Sequence, residues 1–135
     1  MNDLYKELEH KADLYYELNA ESVEEFLRDV VDILIKNSDT RSDENVLSSC
    51  LENFTKKCYN MLTNGYTEIY SDVVFDVIND IISTMDRGFY PFKVENSCIY
   101  FCKTKVILKI KALTYHMFFV QRSGEKIYAR MVFDI

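Results

Sequence analysis

Glycine and proline are scarce in this chain, three and one among 135 residues. That scarcity excludes collagen-like and low-complexity sequences and favours long regular elements. Gly65, Gly88 and Gly124 stand too far apart to build a loop that cradles phosphates, so no nucleotide cofactor is expected. No apolar run approaches the roughly 20 residues that cross a bilayer. The first thirty residues carry acids throughout, where a signal peptide requires a basic start and an apolar stretch. These absences predict an intracellular protein, cytoplasmic or nuclear and not secreted, without membrane contact, cofactor or small-molecule substrate.

What is present is enough apolar material for one core. Hydrophobic residues make up 48% and charged residues 28%. A chain of this length suits a single domain spanning residues 1–135, with an acidic helical part over 1–87 and a basic β part over 88–135.

The apolar spacing predicts four helices. Leu4, Leu8, Tyr15 and Leu18 suggest a first helix over about 3–18. Ser22 and Glu25 have the spacing of a capping box, and Val23, Phe26, Leu27, Val30, Val31 and Leu34 then share one face, predicting a helix over 22–36. The polar stretch 37–42 reads as the loop of a helical hairpin. Val46, Leu47, Cys50, Leu51, Phe54, Cys58, Met61 and Leu62 form the stripe of a third helix over about 43–64, closed by Asn64 and Gly65. Tyr70, Val73, Val74, Val77, Ile78, Ile81, Ile82 and Met85 predict a fourth over 67–86, with Asp72, Asp76 and Asp80 on its opposite side.

Beyond Pro91 the period shortens to two. Val106, Leu108 and Ile110 alternate with Lys103, Lys105, Lys109 and Lys111, interrupted by Ile107. Further strands are expected around Ile99 to Phe101 and Leu113 to Val120, with a turn over 121–126 containing Gly124. The predicted fold is therefore α+β: a four-helix bundle-like region followed by an antiparallel β-meander of three to four strands over about 97–134.

Charge divides the same way. Residues 1–90 hold eight basic and 19 acidic side chains, a net of −11, whereas residues 91–135 hold eight and three, a net of +5. The row Lys103, Lys105, Lys109 and Lys111 reads either as a solvated strand face or as a contact for DNA phosphates or an acidic partner. Tyr15, Tyr16, Tyr66 and Tyr70, with the acidic row Asp72, Asp76 and Asp80, are the candidate protein interface.

No catalytic constellation is legible. The cysteines pair off at spacings of seven and three intervening residues, unsuited to one zinc tetrahedron, so no metal site is expected. Cys50, Cys58, Cys98 and Cys102 are expected to be reduced and mostly buried. Cys102 and His116 lack an orienting third residue, and the three aspartates one turn apart read as the wet side of a helix. The expected protein is not an enzyme and works by binding another protein chain, as a hetero- or homo-oligomer.

Some residues resemble a known family. Tyr15, Tyr16, Glu17 and Leu18, followed by Leu27, Asp29, Asp32, Leu34 and Ile35, resemble the first helix of the small subunit of general transcription factor IIA. Phe54, Thr55 and Lys56 are comparable to its Phe-Asp-Lys stretch, and Phe101 and Cys102 to a Phe-Cys pair that opens a strand. Lys103 stands where that family has Asp, and residues 66–87 add a helix. The resemblance implies a bundle shared with a second subunit and a β part that contacts the TATA-binding protein and DNA phosphates. The alternative function is a small viral, phage or immunity-type inhibitor that blocks a nucleic-acid-handling protein with its acidic helical face.

Overall fold

A computed structural model describes residues 13–40, 44–61 and 67–135. Its first described element is a strand. In β1 (Leu14–Ala20) Leu14, Tyr16, Leu18 and Ala20 turn inward while Tyr15, Glu17 and Asn19 face solvent. This strict alternation, carried by two β-favouring tyrosines, overrides the looser helical spacing that predicted a helix over 3–18. The part of that prediction before Asp13 lies outside the described residues.

Helix α1 (Val23–Lys36) begins where the capping box places it. The Ser22 hydroxyl accepts from the Glu25 amide at 3.2 Å, and Phe26, Leu27, Val30, Val31, Ile33 and Leu34 are buried. At its far end the Asn37 side chain donates to the Ile33 carbonyl at 2.8 Å and to the Tyr16 hydroxyl at 3.1 Å, tying the helix to β1. The supposed hairpin loop then contains a short strand, β2 (Ser38–Thr40), which pairs with β6 (Val106–Leu108).

The third predicted helix breaks in two. Helix α2 (Glu44–Glu52) stops at Asn53, and β3 (Thr55–Cys58) follows. Pairing with β5 (Cys98–Lys103), rather than local preference, sets that change. Helix α3 (Thr67–Asp86) buries Tyr70, Val74, Val77, Ile78, Ile81, Ile82 and Met85, and ends at Gly88, whose φ of +93° suits glycine.

Among the described residues the strands number nine and begin long before residue 97. β4 (Phe89–Glu95) and β5 form a hairpin, and with β3 they make a sheet in the order β3-β5-β4. β9 (Lys126–Asp134) pairs with β1 along one edge and with β8 (Phe119–Ser123) and β7 (Ala112–Leu113) along the other. α1 packs against β1 and β4, and α3 against β8 and β4, so both helices bridge the two larger sheets. Among the described residues there are three helices and no four-helix bundle. The predicted bundle fails because two of its stripes belong partly to strands.

Replacing Gly88 with Ala tests the α3 terminus. A Cβ there would meet the Thr104 carbonyl oxygen at 3.3 Å on a left-handed backbone. The expected loss is about 1–3 kcal/mol of unfolding free energy, read as a lower denaturant midpoint with an unchanged slope.

Candidate functional site

β5 is the central strand of the three-stranded sheet, and its alternation sends Ile99 and Phe101 into the core and Tyr100 outward. Lys56 of β3 and Lys93 of β4 lie opposite Tyr100 in register. Their ammonium groups sit 5.6 and 5.1 Å from the centre of its ring, within cation–π range. Phe54 and Phe92 complete the cluster, edge-on to Tyr100 at 5.3 and 6.3 Å and to each other at 6.1 Å.

Part of this cluster is open to solvent, Phe92 and Tyr100 being half-buried. Phe54 is 50% exposed, and Leu51, three residues earlier on α2, is 70% exposed. Beside it an open cleft of about 430 Å³ is lined by Asn53, Phe54, Thr55, Phe89, Cys102 and Lys103. Apolar side chains with a basic rim offer contact area to another surface.

The opposite side of β3 is anchored. Lys57 turns inward and donates to Asp80 Oδ2 at 3.1 Å and to the Thr84 hydroxyl at 2.9 Å, while the Tyr59 hydroxyl donates to the same Asp80 oxygen at 2.8 Å. Burial works against the charged Asp80, but the Tyr59 hydroxyl and the Lys57 ammonium outweigh it and hold the carboxyl below its ordinary range. Burial and the bond to Asp80 push the Tyr59 hydroxyl upward.

The residues singled out from sequence are dispersed. Tyr15 is exposed on the outer side of β1 and donates to Glu17 at 2.8 Å. Tyr16 packs edge-on against Phe133. Tyr70 is only 4% exposed, with the Arg122 guanidinium over its ring, and Tyr66 lies outside the described residues. Of the acidic row, Asp72 accepts from the Tyr115 hydroxyl at 2.6 Å, Asp76 is exposed, and Asp80 serves the internal network above.

Lys103, Lys105, Lys109 and Lys111 are all exposed, yet they do not share one strand. Lys103 ends β5, and only residues 106–108 form β6. Backbone bonds from Lys109 to Asn37 and from Lys111 to Asp134 continue the alternation across separate neighbours. None of the four lysines is in an ion pair among the described residues. Lys103 alone reaches the cleft.

The cysteines are paired, not reduced. Cys50 bonds to Cys102 and Cys58 to Cys98. The second pair stands directly across the β3–β5 ladder, a proximity that spacing along the chain does not reveal. Cys102 is therefore no nucleophile for His116, which is exposed in a turn. Sequence reasoning missed Phe92, Lys93 and Tyr100 as a cluster and assigned Phe54 to a helix. The available signal was the paired alternation of residues 89–95 and 98–103.

Residues 5–135 match the model of the Archease protein family. Among solved structures the chain resembles one described as an archease, possible chaperone, from Thermotoga maritima, with 26% identity over 93% of each chain and a TM-score of 0.61. No curated protein matches it. The family match overturns the resemblance to transcription factor IIA and, with it, the transcription-factor-like and helical-bundle descriptions. The fold shows why: Tyr15 to Leu18 form a strand, and Phe54 to Lys56 lead into another, where that family has helices.

Asp80→Asn tests the anchor of β3. A carboxyl held low in the folded state stabilises it above the ordinary value of 3.8 and loses that contribution as pH falls through the lower folded value. The variant should therefore be less stable than wild type at pH 7, by up to about 1 kcal/mol for so exposed a pair. The difference should shrink below about pH 4, as followed by urea unfolding at each pH.

Proposed function

This chain belongs to the archease family, and on that premise we propose that it is a non-catalytic binding protein that holds another protein chain in a chaperone-like manner. The observation that carries the reading is the aromatic cluster of exposed Phe54 with half-buried Phe92 and Tyr100, flanked by Lys56 and Lys93 and continued by exposed Leu51. Aromatic side chains deliver large contact area at small entropic cost, and a basic rim selects against basic partners. The solved relative is itself described as a possible chaperone.

The occupant that fits is an apolar segment with acidic flanks. Phe54 and Leu51 offer the apolar contact, while Lys56 and Lys103 lie at the margins. Nucleic acid is the weaker candidate, because the chain's net charge of −6 repels a phosphate backbone at long range. Of the lysine row, Lys103 would extend the acidic-partner contact. No described helix is long and apolar enough to cross a membrane.

The test is suppression of aggregation of a heat-unfolded model enzyme, followed by light scattering. The double substitution Phe54→Ala with Tyr100→Ala should weaken suppression by about 30-fold or more in effective affinity, the loss of at least one aromatic hot spot of about 2 kcal/mol. Circular dichroism controls for folding. Undiminished suppression by a folded double variant would remove this face from the mechanism.

A further inference from the structure

Both disulfides end on one strand. Cys98 and Cys102 are four residues apart on β5, and their partners Cys58 and Cys50 close the α2–β3 segment onto it in antiparallel order. The docking face lies between the two bonds. Phe54 and Lys56 fall between Cys50 and Cys58 in the chain, and Tyr100 falls between Cys98 and Cys102.

Little else among the described side chains holds α2 in place. From Leu47 to Glu52, Cys50 alone is buried, at 0% exposure, while Leu47, Ser48, Ser49, Leu51 and Glu52 are all exposed. A helix of nine residues is too short to persist on intrinsic preference. Among its described side chains the tie to β5 is the sulfur–sulfur bond of Cys50. β3 differs, because its ladder with β5 and the Lys57 and Tyr59 bonds to Asp80 do not involve sulfur.

We infer that the two disulfides are a redox-sensitive latch on the docking face: oxidised, they hold α2 and Phe54 against β5, and reduced, they release α2 and take the aromatic cluster apart while β3 stays paired. The inference rests on the docking reading above for its consequence, but not for its structural content.

The chemistry is thiol–disulfide exchange with a dithiol reductant. Its thiolate attacks Sγ of Cys58, which is exposed; the bond to Cys98 breaks, and Cys98 leaves as a thiolate and takes up a proton. The second thiolate of the reductant then displaces Cys58, so two electrons pass to the protein and the reductant ends as its own disulfide. The pair Cys50 and Cys102, 0% and 4% exposed, reacts by the same steps but more slowly. The latch therefore opens in order, the outer bond first.

Alkylation with mass spectrometry and hydrogen exchange on the same samples tests this, with dithiothreitol as reductant. The oxidised protein should carry no free thiol, mild reduction should expose Cys58 and Cys98 first, and stronger reduction all four. On full reduction, amides of residues 44–54 should exchange about ten-fold faster or more, with β1 and β9 unchanged. The Cys50→Ala with Cys102→Ala variant should show fast α2 exchange without reductant; should it fail to fold, wild type with and without reductant carries the test.

Suppression of model-enzyme aggregation should fall as α2 is released. Free thiols in the air-oxidised protein, or equal α2 exchange in forms verified as oxidised and fully reduced, would overturn the latch. Faster α2 exchange with no suppression in either form would support the latch and reject the docking reading.

Discussion

β1 and β9 pair without interruption from Leu14 opposite Phe133 to Ala20 opposite Ile127, so the first described strand and the last close the chain onto itself. Closing so long a loop costs chain entropy, which grows only slowly with length. The burial of Ala20, Ile127, Ala129, Met131 and Phe133 along the pair offsets it. The register admits no slip, because a shift of one residue would turn Tyr16, Leu18 and Ala20 outward and Tyr15, Glu17 and Asn19 into the core. Ser22 then starts α1 two residues after β1, and Asn37 binds it back to Tyr16. α1 and α3, seated on this sheet, in turn carry β4 and the rest of the three-stranded sheet.

The outer sheet is built to a different specification. Its inner side joins the common core through Ile99 and Phe101, but its outer side keeps Phe54 and Tyr100 near water beneath lysines. Leaving aromatic area exposed forfeits burial within the chain and makes it available to a partner. The network of Lys57, Tyr59, Asp80 and Thr84 holds β3 from behind, and the two disulfides hold it and α2 from the front. A face pinned on both sides can be presented without the core giving way. A second aromatic group, Phe75 stacked on Tyr115 at 3.9 Å with Phe118 alongside, lies between α3 and the turn before β8, with Tyr115 exposed and the other two half-buried.

Several elements were readable and several were not. The capping box at Ser22 and the long β-branched stripe of residues 67–86 mark helices that the structure contains over Val23–Lys36 and Thr67–Asp86. Residues 14–20 and 55–58 were misread because short amphipathic segments fit both periods, and only a partner strand decides between them. The lysine row kept its alternation of exposed and half-buried positions from Lys103 to Lys109 although its backbone bonds go to different neighbours, which is why a single strand was inferred there.

By itself the sequence determined the periods of its strongest segments, the acidic and basic halves, and the scarcity of the residues that phosphate loops require. Those properties are local, carried by each side chain and its near neighbours along the chain. The tertiary structure alone decided that Cys58 faces Cys98, that Cys50 reaches Cys102, that Lys56 and Lys93 meet over Tyr100, and that Asp80 serves β3 rather than an outer acidic face. Each of these is a contact between segments more than twenty residues apart or across a strand register, and such contacts exist only once the sheets have chosen their partners.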